Sequence, residues 1–122
     1  MGNLLLFFSL FCLGIYQKSI SSTVNHSQIK NNDIQIKRIV ALTSLSADIV
    51  SSISNESLVG IPESSLFKNK DDFKNKVIVS SGRNPPNLEK IIKLKPELVI
   101  GSKGFHDKTL KNLDKLGVKT LS

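Results

Sequence analysis

The 122 residues predict an α/β fold, a single lobe in which a parallel sheet of about four to five strands is flanked by helices. Three observations carry this. Short continuous apolar runs rich in Val and Ile read as strands at Arg38–Leu42, Val77–Val79 and Leu98–Ile100, the first as expected for a strand buried on both faces. Segments with helical apolar spacing lie between the runs, and each connection is long enough for a crossover helix. The chain length, with 39% hydrophobic and 22% charged residues, suits one modest globular core. Strand–helix–strand alternation of this kind predicts a Rossmann-like lobe with helices on both faces of the sheet.

The elements follow in order. The first run ends at Thr43-Ser44-Leu45-Ser46, where Ser44 is expected to cap a helix by accepting a backbone N–H. Leu45, Ile49 and Ile53 recur at helical spacing with Val50 beside them, and Asp48 favours the positive N-terminal end. Ser57-Leu58-Val59-Gly60-Ile61 is a second strand, halted by Pro62. Residues Glu63 to Lys76 are polar, with Leu66, Phe67 and Phe73 as anchors onto the core. After Val77–Val79, the loop Ser80 to Pro86 leads to Asn87, the cap of a helix carrying Leu88, Ile91 and Ile92 on one face. Pro96 stops that helix, because it disfavours helical geometry at Lys95. Leu98–Ile100 ends at Gly101. Leu110, Leu113 and Leu116 mark a third helix, with Asp107 as its expected cap and Gly117 as its left-handed C-terminal stop. Val118 to Leu121 begins a last strand.

The N-terminal residues read differently. Leu4 to Tyr16 is the most apolar stretch, short for a bilayer span of about 20 residues and suited to the core of a secretory signal. Residues 1–22 are therefore expected to be a signal peptide or membrane anchor, residues 23–37 a polar linker, and residues 38–122 the lobe. The order of preference is a cleaved signal, then an uncleaved anchor, then lipidation at Cys12, and a buried hydrophobic helix is the alternative to these three. Each of the three places the lobe outside the cytoplasm. A single cysteine forms no internal disulfide, and no Cys/His cluster has zinc spacing.

Charge excludes one class of partner. The net charge of +7 is almost all lysine, with Arg38 and Arg83 the sole arginines. The lysines are spread along the chain with acids beside them, and 6% of residues are aromatic, so a solvated surface explains the charge and nucleic acid is not an expected partner. Enzymatic motifs are also missing. There is no GxGxxG and no GxSxG, and Gly101-Ser102-Lys103-Gly104 lacks the spacing of a phosphate loop. His26 lies in the linker, and His106 has Asp107 beside it without a nucleophile elbow. No enzyme and no cofactor is expected. In parallel sheets ligands bind outside the carboxyl ends of the strands, here Thr43–Ser46, Pro62–Ser65, Ser80–Asn84 and Ser102–His106. These loops carry Arg83, whose planar fork suits carboxylate-bearing ligands, and Lys103, a mobile positive charge. Phe67 and Phe105 offer apolar walls.

The stretch NLEKIIKLKPELVIG, Asn87 to Gly101, resembles the signature of the class III periplasmic substrate-binding proteins. These serve ABC importers of ferric siderophores, haem and cobalamin. RIVALTSLSADIV with LVGI is similar to that family's first strand, helix and second strand, and LKNLDKLGVKTL to its third helix and the strand after it. The family fold is two α/β lobes joined by a long rigid helix, with ligand held between them. The resemblance implies that this chain is the N-terminal lobe, truncated before the connecting helix and the C-terminal lobe, and that its half-site alone holds ligand weakly.

By position in the family pattern, the ligand contacts would be Ser44, Ser46, Ser64, Ser81, Arg83, Lys103 and Phe105. Glu89 falls where the family carries an acid that docks onto arginines of the membrane permease. Arg83 with Lys103 favours an anionic ferric siderophore or related chelate, His106 keeps haem open, and the absence of Trp disfavours cobalamin. The expected protein is exported, either periplasmic or attached to the outer face of the inner membrane. The alternatives from another class are a stand-alone, membrane-tethered interaction domain and a non-functional gene fragment.

Overall fold

The computed structural model describes residues 35–122. The signal or anchor segment, Cys12, His26 and most of the linker lie outside the described residues. The described chain forms β1 (Ile39–Ala41), α1 (Ser44–Ser54), β2 (Leu58–Pro62), β3 (Val77–Ser80), α2 (Leu88–Lys93), β4 (Leu98–Ile100), α3 (Asp107–Lys115) and β5 (Lys119–Leu121). The five strands are all parallel, in the order β3-β2-β1-β4-β5. β1 is central, with Ile39 opposite Leu58 on one side and Leu98 on the other. The α/β prediction therefore holds, including helices on both faces.

Side-chain alternation along β1 builds the two halves of the core. Val40 and Leu42 join Val79, Ile91, Val99, Leu110 and Leu113 on the face covered by α2 and α3. Ala41 joins Ala47, Val50, Leu58, Ile61, Phe67 and Phe73 on the face covered by α1. No helix crosses from β2 to β3. Two short 3₁₀ turns, Ser65–Phe67 and Asp71–Phe73, fill that place, and their rings stack with centroids 4.1 Å apart. Phe67 and Phe73 are the anchors the sequence suggests, whereas Leu66 is exposed.

Local signals explain the boundaries, with corrections. Asn87 caps α2, its side chain accepting from the Lys90 N–H at 3.0 Å. Lys95 adopts φ 48°, a left-handed geometry, because Pro96 closes off the helical region at that residue. Gly117, at φ 83°, ends α3. The cap of α1 is Thr43, not Ser44: the Thr43 hydroxyl accepts from the Ser46 N–H at 3.1 Å. Adjacent hydroxyls are equally able to cap, and Thr43 is the one held in extended geometry by the end of β1. Asp107 is the first residue of α3 and not its cap, which is His106. The Asp107 carboxylate instead accepts from the Gly104 N–H at 2.8 Å.

The repeat of Leu45, Ile49 and Ile53 marks the helix, yet it faces solvent, at 72%, 51% and 81% exposed. Ala47 and Val50 face the sheet instead. Leu58, Ile61 and the stacked phenylalanines already fill this side, so the helix contact admits small side chains. Ile92 and Leu116 likewise lie outside the core.

Candidate functional site

The order of strands reverses at β1, which has β2 on one side and β4 on the other. A cavity of about 260 Å³ lies over the carboxyl ends of the strands at that point. All four neighbouring loops line it: Thr43 and Ser44 after β1, Glu63 after β2, Ser81 and Asn84 after β3, and Ser102, Phe105 and His106 after β4. Backbone bonds fix these loops. The Glu63 N–H donates to the Ser80 carbonyl at 2.7 Å, the Asn84 N–H to the Ser81 carbonyl at 2.9 Å, and the His106 N–H to the Ser102 carbonyl at 2.9 Å. Such a rim of hydroxyls, one carboxylate, an amide and two rings can bind a polar ligand with an apolar flank.

The expected contact residues divide. Ser44, Ser81 and Phe105 line the cavity, and Phe105 is 80% exposed. Ser46 does not: its hydroxyl donates to the Thr43 carbonyl at 3.0 Å and serves the start of α1. Arg83 and Lys103 are exposed residues of the surrounding loops and do not line the cavity. Ser64 belongs to a different and larger concavity of about 580 Å³, beside the edge strand β3, where Phe67 and Lys76 also lie. Burial lowers the Lys76 pKa against the pull of Asp72 and Glu56, and its ammonium donates to the Asn55 carbonyl at 2.6 Å. Glu89 stands in the first turn of α2, exposed and paired with Lys93 at 3.2 Å. Among the described residues no group of three or more His, Cys, Asp or Glu side chains is placed to hold a metal ion.

Thr43, Glu63, Asn84 and His106 also line the cavity and are not among the expected contacts. All four fall within the strand-end segments, and that position was their signal. His106 is 6% exposed, and its Nδ1 accepts from the Ser102 N–H at 3.0 Å. Phe105 meets its ring edge-on at a centroid distance of 5.0 Å. Burial lowers the His106 pKa from 6.5. Above pH 6.5 the imidazole is neutral in both the folded and unfolded chains, and its full contribution to stability is present. Below 6.5 the unfolded chain takes up the proton first, so stability falls until the folded-state pKa is passed. Urea midpoints measured from pH 7.5 to pH 5 are expected to drop more steeply for the native chain than for His106→Asn; parallel curves would contradict this.

A doubly wound parallel lobe with a strand-end cavity defines a ligand-binding module. Residues 39–122 match the family model described as periplasmic binding protein. Among solved structures, a possible iron-binding (periplasmic solute-binding) protein from Staphylococcus epidermidis is 30% identical with a TM-score of 0.59, over 70% of this chain and 34% of that one. The periplasmic vitamin B12 binding protein of Vibrio cholerae is 25% identical with a TM-score of 0.58, over 70% and 33%. A periplasmic heme binding protein from Pseudomonas aeruginosa is 26% identical with a TM-score of 0.55, over 70% and 30%. A search of the curated proteins finds no match. The chain belongs to the periplasmic binding protein family, whose members bind solutes for transport and are not enzymes. It spans about a third of the length of the structures it resembles.

Proposed function

We propose that this chain is the N-terminal lobe of an exported solute-binding component of an ABC importer, and that its ligand is a ferric siderophore or a related anionic ferric chelate. The observation that carries this is the cavity at the strand-order reversal, lined by loops from four successive parallel strands. Its volume of about 260 Å³ is below the roughly 300–1,000 Å³ of a complete small-molecule site, as suits one wall of a cleft between two lobes. Iron, vitamin B12 and heme appear in the names of the relatives. A ferric chelate is preferred because Arg83 and Lys103 are exposed cations on the loops around the cavity. Among the described residues Phe105 is the only phenyl ring lining it, a small platform for a haem or cobalamin macrocycle.

Titration with ferric trihydroxamate, ferric triscatecholate, haemin and cyanocobalamin tests the reading. A ferric chelate is expected to bind, and Arg83→Ala to weaken it by about tenfold, the scale of one charge-assisted hydrogen bond. Equal affinity of that variant would remove Arg83 from the site. Glu89 is proposed to dock onto an arginine of the permease, since it is exposed and held on a helix, and its Lys93 pair is a weak surface one. Glu89→Ala is expected to leave chelate affinity unchanged and to lower uptake by cells. Normal uptake by that variant would sink the docking role.

A further inference from the structure

We propose that His106 serves the strand-end cavity as a neutral hydrogen-bond donor, its Nε2–H reaching an acceptor oxygen in the organic shell of the bound chelate, and that it does not ligate the metal. The inference rests on the solute-binding reading above. Its geometric basis is the Nδ1 bond. A backbone N–H can only donate, so the Ser102 N–H at 3.0 Å commits Nδ1 as the acceptor. A neutral imidazole then carries its proton on Nε2. Nε2 makes no hydrogen bond among the described residues. No buried side-chain nitrogen or oxygen among them lacks a partner, so Nε2 is open to solvent although the residue is 6% exposed. His106 lines the cavity, and its donor is the one ring atom left for an occupant.

Three features hold the ring in this state. His106 is the N-cap residue of α3, where the positive end of the helix opposes an imidazolium. Its Cβ lies tight against the residue that follows β4: a Cβ on Gly101 would meet the His106 Cβ at 3.1 Å. Phe105 covers one edge of the ring. Of the nearby charged groups, Asp107 is occupied by the Gly104 N–H, Lys103 is exposed, and Glu63 shares the cavity lining. A metal bond from Nε2 would require moving the proton to Nδ1, against the Ser102 N–H, so the site selects for oxygen acceptors around the metal.

The test uses the whole chain labelled with ¹⁵N-histidine. It has two histidines, His26 and His106, so the His106 signals are assigned by their loss in His106→Asn. Long-range ¹H–¹⁵N correlation is expected to show Nδ1 unprotonated and Nε2 protonated. The probes are the diamagnetic gallium(III) complexes of a trihydroxamate, a triscatecholate and citrate, with haemin alongside. One gallium chelate is expected to shift Nε2 and the amides of Ser44 and Ser81. His106→Asn keeps a side-chain oxygen that can accept from the Ser102 N–H but removes Nε2–H from the cavity, since its amide donors sit on a shorter side chain. It is expected to weaken that chelate by about tenfold with an unchanged thermal midpoint at pH 7.5. Should the variant fold poorly, the Nε2 shift in the native chain decides. A protonated Nδ1, an unmoved Nε2 while the loop amides shift, equal affinity of the variant, or haemin coordination lost in the variant would each overturn the donor role alone. If no probe moves any of these amides, the solute-binding reading falls, and the donor role with it.

Discussion

Leu113→Ala is expected to lower the unfolding free energy by about 3 kcal/mol, within the roughly 2–5 kcal/mol range for emptying a buried leucine site. Leu113 is 0% exposed and sits with Val40, Ile91, Val99 and Leu110 between α3 and the sheet. Two costs add there, the transfer of the lost methyl groups and the cavity left behind, because strand residues cannot move in to fill it. Against a typical total of about 5–15 kcal/mol, the loss is a large fraction of the stability of so small a lobe. Urea titration should show a lower midpoint at unchanged slope. Leu116→Ala provides the internal comparison. Leu116 belongs to the same predicted stripe but is 61% exposed, so its loss should stay within about 0.5 kcal/mol. Equal effects at the two positions would refute the packing described for α3.

Gly60→Val is expected to destabilise by about 1–3 kcal/mol for the opposite reason, overpacking. A Cβ at Gly60 would lie 2.9 Å from Leu94 Cδ1 and 3.0 Å from Val40 Cγ2. Leu94 can swing aside, but Val40 is a β-branched, fully buried residue of the central strand. The added methyls would therefore push β2 away from β1 or lift Leu94 from the core. Gly82→Ala is the matching comparison, since nothing lies within 4 Å of a Cβ there. Thermal melts of the two variants should differ clearly, and a Gly60→Val melt matching that of Gly82→Ala would show that β2 has room to spare.

The strands were readable as continuous apolar runs, in which Val40, Val79 and Val99 are buried, although Val77 and Ile78 of the edge strand β3 are exposed. Asn87, Pro96 and Gly117 were readable because each acts through its own backbone or its nearest turn. The orientation of α1 was not. Helical spacing reports a period, and what decides the buried side is the volume that Leu58, Ile61, Phe67 and Phe73 bring from elsewhere in the chain. The candidate site was readable as four loops and only in part as residues: Ser44, Ser81 and Phe105 line the cavity as expected, and the others do not. Ser46 and Thr43 are both hydroxyls in one turn, and only the folded geometry turns Ser46 back onto its own helix while Thr43 lines the cavity. Glu63 reaches the cavity because its N–H is tied to Ser80, on a strand that follows many residues later. His106 looked like a loop histidine because its acceptor role depends on a backbone N–H that local sequence does not specify.

The central place of β1 also sets the tempo of folding. β1 emerges first, yet one of its two neighbours is β4, and the Lys37–Glu97 hydrogen bond beside them spans 60 residues. Three of the five strands, β1 with β2 and β3, can therefore assemble while one edge of β1 stays open until β4 arrives. Contacts of that separation put folding nearer milliseconds to seconds than microseconds. During that interval the open edge of β1 can pair with the wrong strand, so crowding of nascent chains is the condition under which this lobe is most exposed to misassembly.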